Sequence, residues 1–93
     1  MDKVKSYIGF AKASRAIVFG QNTIEKTKHI CGIVCSDKLT ANTISKLKTY
    51  SENLIVLSEE NYNKLNLAAS AFAITDKSLM TAIQTQLKQF GGK

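Results

Sequence analysis

The 93-residue chain has no proline, only two cysteines, one histidine and five glycines, and its seven acidic residues face thirteen basic ones. Each scarcity excludes something. Without proline, low-complexity tracts or internal repeats, nothing in the chain reads as a linker or a repeat array. No apolar run approaches the ~18 residues that a membrane-spanning helix needs. The opening "MDKVKSYIGFAKASRAIVFG" does not read as a signal peptide, because Lys12 and Arg15 interrupt any apolar stretch. The expectation is a cytoplasmic protein with no membrane contact. Cys31 and Cys35 sit in "HICGIVCSD". On one strand they would share a face about 13 Å apart at ~3.3 Å per residue, beyond the ~7 Å that a disulfide tolerates. As zinc ligands they lack company, since His29 is the lone histidine and there is no second cysteine pair. Reduced, buried cysteines are the simpler reading.

Catalytic patterns are equally scarce. His29 has no nucleophile near it in sequence except Cys31, and the pair Glu59–Glu60 suits a helix start better than acid–base work. Gly20 is the only glycine of its turn, so neither a P-loop nor a dinucleotide fingerprint is present. The expectation is a protein that is not an enzyme and uses no cofactor or metal.

What is present is positive charge. The formal net charge is +6, which in one small domain favours polyanions, nucleic acid first and membrane surfaces second. Solubility alone also accounts for a charge of that size. Hydrophobic content of 44% and aromatic content of 8% are ordinary for a globular chain. The length suits a single domain over residues 1–93, which buries roughly two-thirds of its unfolded surface, with "GGK" at 91–93 as a frayed end. A diglycine conjugation signal is set aside because Lys93 follows it.

Helical and extended patterns alternate along the chain. Val4, Tyr7, Ile8 and Ala11 recur at helical spacing. "AIVF" predicts a short strand, followed by a helix from about Gly20, then a second strand at "ICGIVC". Thr40 or Asn42 caps a helix bearing Ile44, Leu47 and Tyr50. "NLIVLS" predicts a third strand covered on both faces, and Ser58 caps a short helix opening on Glu59 and Glu60. "AASAFAIT" predicts the fourth strand. Thr75 or Asp76 caps the last helix, whose stripe is Leu79, Met80, Ile83, Leu87 and Phe90. Such alternation predicts an α/β fold, a three-layer α/β/α sandwich with a central sheet of about four strands.

The helix after Gly20 opens on Gln21, Asn22 and Thr23, polar residues that a helix merely covering a core does not require. Asn22, Lys26 and His29 fall at i, i+4 and i+7, one helical face, while Ile24 turns toward the sheet. Free N–H groups at a helix start suit phosphate oxygens. Amides suit base edges, and Lys26 suits a phosphate or a guanine O6. Lys12, Arg15 and Lys28 supply flanking charge. The same residues also fit a plain reading, with Asn22 as a cap and Lys26 as a solvated charge.

Three stretches together resemble a known family. "IGFAKASRAIVFG", "GQNTIEK" and "AFAITDKSLMTAI" look like the first helix and strand, the G-x-N-E-x-x-K signature, and the last strand and helix of the kink-turn RNA-binding ribosomal proteins. This is the superfamily of archaeal "L seven Ae" and eukaryotic "L thirty e"; the chain looks closest to its short bacterial members. The resemblance spans about Val4 to Leu87. It implies an α/β/α sandwich that binds sharply bent RNA containing tandem sheared G·A pairs. Gly20 would then admit close backbone approach, Asn22 would read a guanine edge, and Lys26 would contact phosphate or guanine O6. The loop at Leu67, Ala68, Ala69 and Ser70 would pack against the extruded nucleotide.

The chain departs from the family where Thr23 replaces a glutamate and where Val18 and Phe19 replace basic residues. The "KTKHI" connection is also short, and the loop before "AASAFAI" lacks the family's glycine. Losing one bidentate base contact costs about 1–3 kcal/mol of discrimination.

Two functions follow as expectations. One is a monomeric, non-catalytic module for kink-turn-like RNA, ribosomal or ribonucleoprotein-associated, with structured RNA or the ribosome as partner. The other is a ribosome-associated or protein-interaction scaffold of the same fold with weak, non-specific RNA binding.

Overall fold

The alternation becomes nine elements in the computed structural model, which describes residues 2–88. They are α1 (Asp2–Ala13), β1 (Ile17–Phe19), α2 (Gln21–Lys26), β2 (Gly32–Ser36), α3 (Ala41–Lys48), β3 (Leu54–Leu57), α4 (Glu59–Asn63), β4 (Ala71–Ile74) and α5 (Lys77–Leu87). Phe90 and the "GGK" end lie outside the described residues.

Local chemistry sets most helix starts. Thr40 Oγ1 accepts the Thr43 N–H at 3.2 Å, Ser58 Oγ accepts that of Asn61 at 3.2 Å, and Asp76 Oδ1 accepts that of Leu79 at 3.0 Å. Each satisfies a donor that has no partner within its helix, worth about 1 kcal/mol. Of the alternatives read from the sequence, Thr40 and Asp76 are the caps; Asn42 lies inside α3 and Thr75 precedes the cap.

The strands form one mixed sheet in the order β1-β4-β2-β3. β2 and β3 are parallel, while β4 runs antiparallel to both of its neighbours. Ile17 and Gly32 each lie opposite Ile74, and Phe19 lies opposite Phe72. One end of the sheet therefore gathers the starts of β1 and β2 with the finish of β4. The other end gathers the finishes of β1, β2 and β3 with the start of β4.

Pleating divides the side chains between two cores. Val34, Leu57, Phe72 and Ile74 pack with Val4, Ile8 and Ala11 of α1, Tyr62 of α4, and Met80, Ile83 and Leu87 of α5. On the opposite face Ile33, Cys35, Ala71 and Ala73 pack with Ile24 of α2 and Leu47 of α3. The result is an α/β/α sandwich, as the alternation predicts. β4 shows large residues, Phe72 and Ile74, to the first core and only alanines to the second, where the short helix α2 lies close. Phe72 is flanked by the rings of Phe19 and Tyr62, each at 6.3 Å between centroids. Tilted pairs of this kind add ~0.5–1.5 kcal/mol beyond area burial. β3 has apolar side chains on both faces, but as an edge strand it leaves Leu54, Ile55 and Val56 half-exposed.

Two strand boundaries correct the sequence reading. β4 starts at Ala71, leaving Ala68, Ala69 and Ser70 in a loop. β2 starts at Gly32, and the two cysteines lie on opposite faces of the sheet, Cys31 against the first core and Cys35 in the second. Cys31 precedes the regular strand and leaves a left-handed turn at His29 (φ 61°), so strand alternation does not govern it. Both thiols are free.

Gly32 faces Met80, and a Cβ added there would come within 2.5 Å of the Met80 Sδ. Met80 is itself buried, so its thioether would have to shift within the core. Gly32→Ala should therefore destabilise the fold by about 1–3 kcal/mol, read as a lower urea midpoint with an unchanged m-value. Burial first, and the Asp37 carboxylate second, push the Cys35 thiol up from 9.0 to about 11. A raised pKa means that the unfolded chain releases this proton before the folded one does. Its stabilising contribution is whole below pH 9 and lost as pH rises toward 11, on the order of 2 kcal/mol. Melting midpoints at pH 8, 9.5 and 10.5 should fall in that order, and Cys35→Ala should shallow the decline.

Candidate nucleic-acid interface

The ladder between β1 and β4 continues one residue past β1, where the Gly20 N–H donates to the Ala71 carbonyl at 3.0 Å. There the backbone takes φ 87° and ψ 147°, a combination that L side chains rarely adopt, and turns into α2. Glycine supplies the geometry but no capping oxygen. Unlike α3, α4 and α5, α2 therefore opens without a side-chain cap over the N–H groups of Gln21, Asn22 and Thr23. Asn22 is inside the helix, so the reading of it as the cap does not hold. Ile24, fully buried, pins the helix to the sheet. At ~100° per residue, Asn22 and Lys26 each lie about 160° from Ile24, on the outermost face, and both are exposed.

The second segment is the loop between α4 and β4. Asn66 takes a left-handed conformation (φ 56°), which asparagine tolerates, and ends the α4 region. The buried Tyr62 donates its hydroxyl to the Ala69 carbonyl at 2.8 Å, and the Ser36 N–H donates to the Ser70 carbonyl at 3.0 Å. Burial first, and Cys35 second, raise the Tyr62 pKa, which keeps the phenol protonated as a donor. The loop is thus tied down on two sides. Leu67 packs toward the core and Ala68 faces outward.

The two segments meet because Gly20 and Ala71 are bonded. Beside them Lys12, Phe19, Asn66, Leu67, Ala68 and Ala69 line an open cleft of about 410 Å³. The Lys12 ammonium lies 5.5 Å from the centroid of the Phe19 ring, a cation–π contact worth ~0.5–1 kcal/mol at an exposed site. The cleft joins an aromatic wall, aliphatic carbons, an amide and a cation. Such a set can take a flat ring with a phosphate attached.

Of the residues singled out from the sequence, Lys12, Gly20, Gln21, Asn22, Thr23, Leu67, Ala68, Ala69 and Ser70 come together at this end of the sheet, and Lys26 sits one helical turn away. Lys28 does not join them, and Arg15, although its N–H donates to the Lys12 carbonyl at 3.2 Å, stands on the turn at the far end of β1. Arg15 precedes β1 and Lys28 precedes β2, and both strands start at the Ile74 end. His29 also leaves the predicted face, because α2 ends at Lys26 and Thr27 is already extended. Phe19, Asn66 and Tyr62 were missed as contributors. The signal available for Asn66 was an asparagine just after a helical segment; for Phe19 and Tyr62 none was local. Carboxylates share this end too. Asp37, which accepts the Glu59 N–H at 2.9 Å, lies with Glu59 and Glu60 where β2 and β3 finish. Lys38 follows Asp37 and Lys64 ends α4, so that side carries both signs of charge.

Among the described residues no three His, Cys, Asp or Glu side chains gather as a metal site would need, and no helix is long and apolar enough to cross a membrane. No family model and no curated protein matches the chain. Its fold does match a solved structure, that of "a protein with unknown function from Bacillus halodurans C", with a TM-score of 0.66 at 16% identity over 88% of this chain and 97% of that one. A likeness at that identity shows a shared architecture.

The Tyr62 hydroxyl is the tether that can be removed alone. Tyr62→Phe should cost about 1 kcal/mol of stability and speed hydrogen exchange at residues 66–70, with the amides of β4 still protected.

Proposed function

We propose that this protein is a non-catalytic RNA-binding domain that holds a kinked, kink-turn-like RNA at the end of the sheet where the Gly20 turn meets the loop at residues 67–70. The observation that carries this reading is the Gly20–Ala71 hydrogen bond of 3.0 Å, which joins segments some fifty residues apart in the chain. On one side of it lie an uncapped helix start with the exposed Asn22, and Lys26 one turn on. On the other lies the cleft formed by Lys12, Phe19 and the loop. The first suits a backbone bend and an exposed guanine edge, the second an unstacked base, and RNA is read largely through shape and splayed bases. The groups gathered here are amides, an ammonium and apolar carbons, which bind and orient rather than transfer protons. The resemblance of "GQNTIEK" to the kink-turn signature agrees with this assignment. The reading places the protein in the cytoplasm as a monomer, ribosomal or ribonucleoprotein-associated, with structured RNA as its partner.

A second reading keeps the fold and drops sequence-specific RNA recognition, leaving a ribosome-associated or protein-interaction scaffold. Asp37, Glu59 and Glu60 at the same end, and Thr23 where a glutamate would accept from guanine, favour it.

Titration against a kink-turn RNA, and against the same duplex with its G·A pairs made Watson–Crick, separates the two. With magnesium near physiological salt, the kinked RNA should bind at least tenfold more tightly. Asn22→Ala and Lys26→Ala should each erase most of that preference without moving the melting midpoint by more than a degree or two. Equal binding to both RNAs, indifferent to Asn22→Ala, would leave the scaffold reading.

A further inference from the structure

The end of the sheet remote from the cleft carries cations of its own. Three chain segments converge on the finish of β4. Thr75 N–H donates to the Ala16 carbonyl at 2.9 Å, Cys31 N–H donates to the Ile74 carbonyl at 2.8 Å, and both Ile17 and Gly32 lie opposite Ile74. Arg15 is one residue before Ala16, His29 and Lys28 are two and three residues before Cys31, and Lys77 is two residues beyond Thr75. Lys48 closes α3, which delivers the chain to β3 at this same end. All five side chains are exposed. The carboxylates here are Asp76, occupied by the Leu79 N–H, and Glu52.

The backbone supplies a second, independent observation. Arg15 and His29 both have left-handed dihedrals, φ 59° and 61°, and they precede the two strands that flank β4. Glycine or asparagine takes that conformation without strain, and the chain does use asparagine at its third such position, Asn66. Placing an arginine and a histidine there costs stability and gains an exposed guanidinium and an exposed imidazole. Strain retained at two exposed positions beside one strand end is the pattern of a functional surface.

We propose that this end is a second RNA-contacting surface, which grips the phosphate backbone of a regular duplex and reads no bases. Arginine and lysine are the charged groups assembled, while the amide of Asn53 is engaged by the Cys31 carbonyl and Gln84, so phosphate is the chemistry they fit. The two ends are separated by the length of β4, four residues or about 13 Å at ~3.3 Å per residue, so the two surfaces suit adjoining segments of one RNA. With the cleft holding a kinked element, which rests on the function proposed above, the protein bridges two helical arms. The choice of RNA as the duplex rests on that reading; the grip on phosphate does not.

Binding of a labelled, unbent 20-base-pair RNA duplex between 50 and 300 mM salt tests it. The triple variant Arg15→Gln, Lys28→Gln, Lys77→Gln should bind roughly tenfold more weakly near 100 mM salt. Its slope of log affinity against log salt should be smaller by about 2 to 3, since each phosphate contact contributes ~0.9. Unchanged affinity and slope would overturn the proposal. So would an equal or larger loss in Lys12→Gln with Lys26→Gln, which would put the duplex at the cleft end. The kinked-RNA preference of the triple variant should persist, so failure here and failure of the cleft reading are separable. Arg15→Gly with His29→Gly should melt no lower than the parent and bind the duplex less; a lower midpoint with undiminished binding would assign both side chains to folding and sink the idea.

Discussion

The architecture hangs on where β4 goes. This last strand enters between β1 and β2, antiparallel to both, and is buried on each face. Its backbone satisfies the ladders of two neighbours, and its side chains contribute to both cores. Of the other strands β2 is likewise buried on both faces and paired on both sides, but it has no bond to β1; β1 is three residues long and β3 is an edge. With β4 absent, Phe19 would lose the ring of Phe72, α2 would lose the alanines against which Ile24 packs, and the two halves of the sheet would have no link. The contacts closing this insertion span some fifty residues, so the entropy of a long loop is offset by burial in two places at once.

The same insertion makes both polar ends of the molecule. At its start β4 draws the 67–70 loop against the Gly20 turn. At its finish it collects the turns before β1 and β2, with Arg15 and His29 in left-handed conformations. Side chains crowd the interior, so the strand ends are where the chain can show polar groups without desolvating them. The two ends differ in kind. One offers a cleft with a ring, an amide and a cation, bounded by carboxylates toward β3; the other offers separated cations on turns. Under the RNA reading, shape recognition belongs to the first and charge to the second.

α2 shows how the site differs from the scaffold. Three helices are capped by a side-chain oxygen three residues ahead of the N–H it accepts, and these caps are structural investments with a local return. α2 is six residues long, opens on a glycine at φ 87°, and is held by one fully buried residue, Ile24. A helix that short is not stable by itself. It persists because the sheet holds it, which leaves its outer face, with Asn22, Thr23 and Lys26, unused by the fold.

The order of elements, the Ser58 cap, a choice of two residues for each of the other two caps, the stripe on α5 and the burial of Ile24 were legible in the residues alone. Each depends on neighbours within about four positions, where periodicity and capping chemistry act. The strand order was not legible, and everything that depends on it came only with the tertiary structure: the meeting of Gly20 with Ala71, the cleft between Phe19 and Leu67, and the parting of Arg15 and Lys28 from the residues with which they were first grouped. The cysteines teach the same point at small scale. Regular alternation put them on one face, but Cys31 follows a left-handed turn and precedes the strand, so its direction is set by what it packs against. Local patterns decide which segments are helices and strands; which segments become neighbours is decided by shared burial over distances that no local pattern encodes.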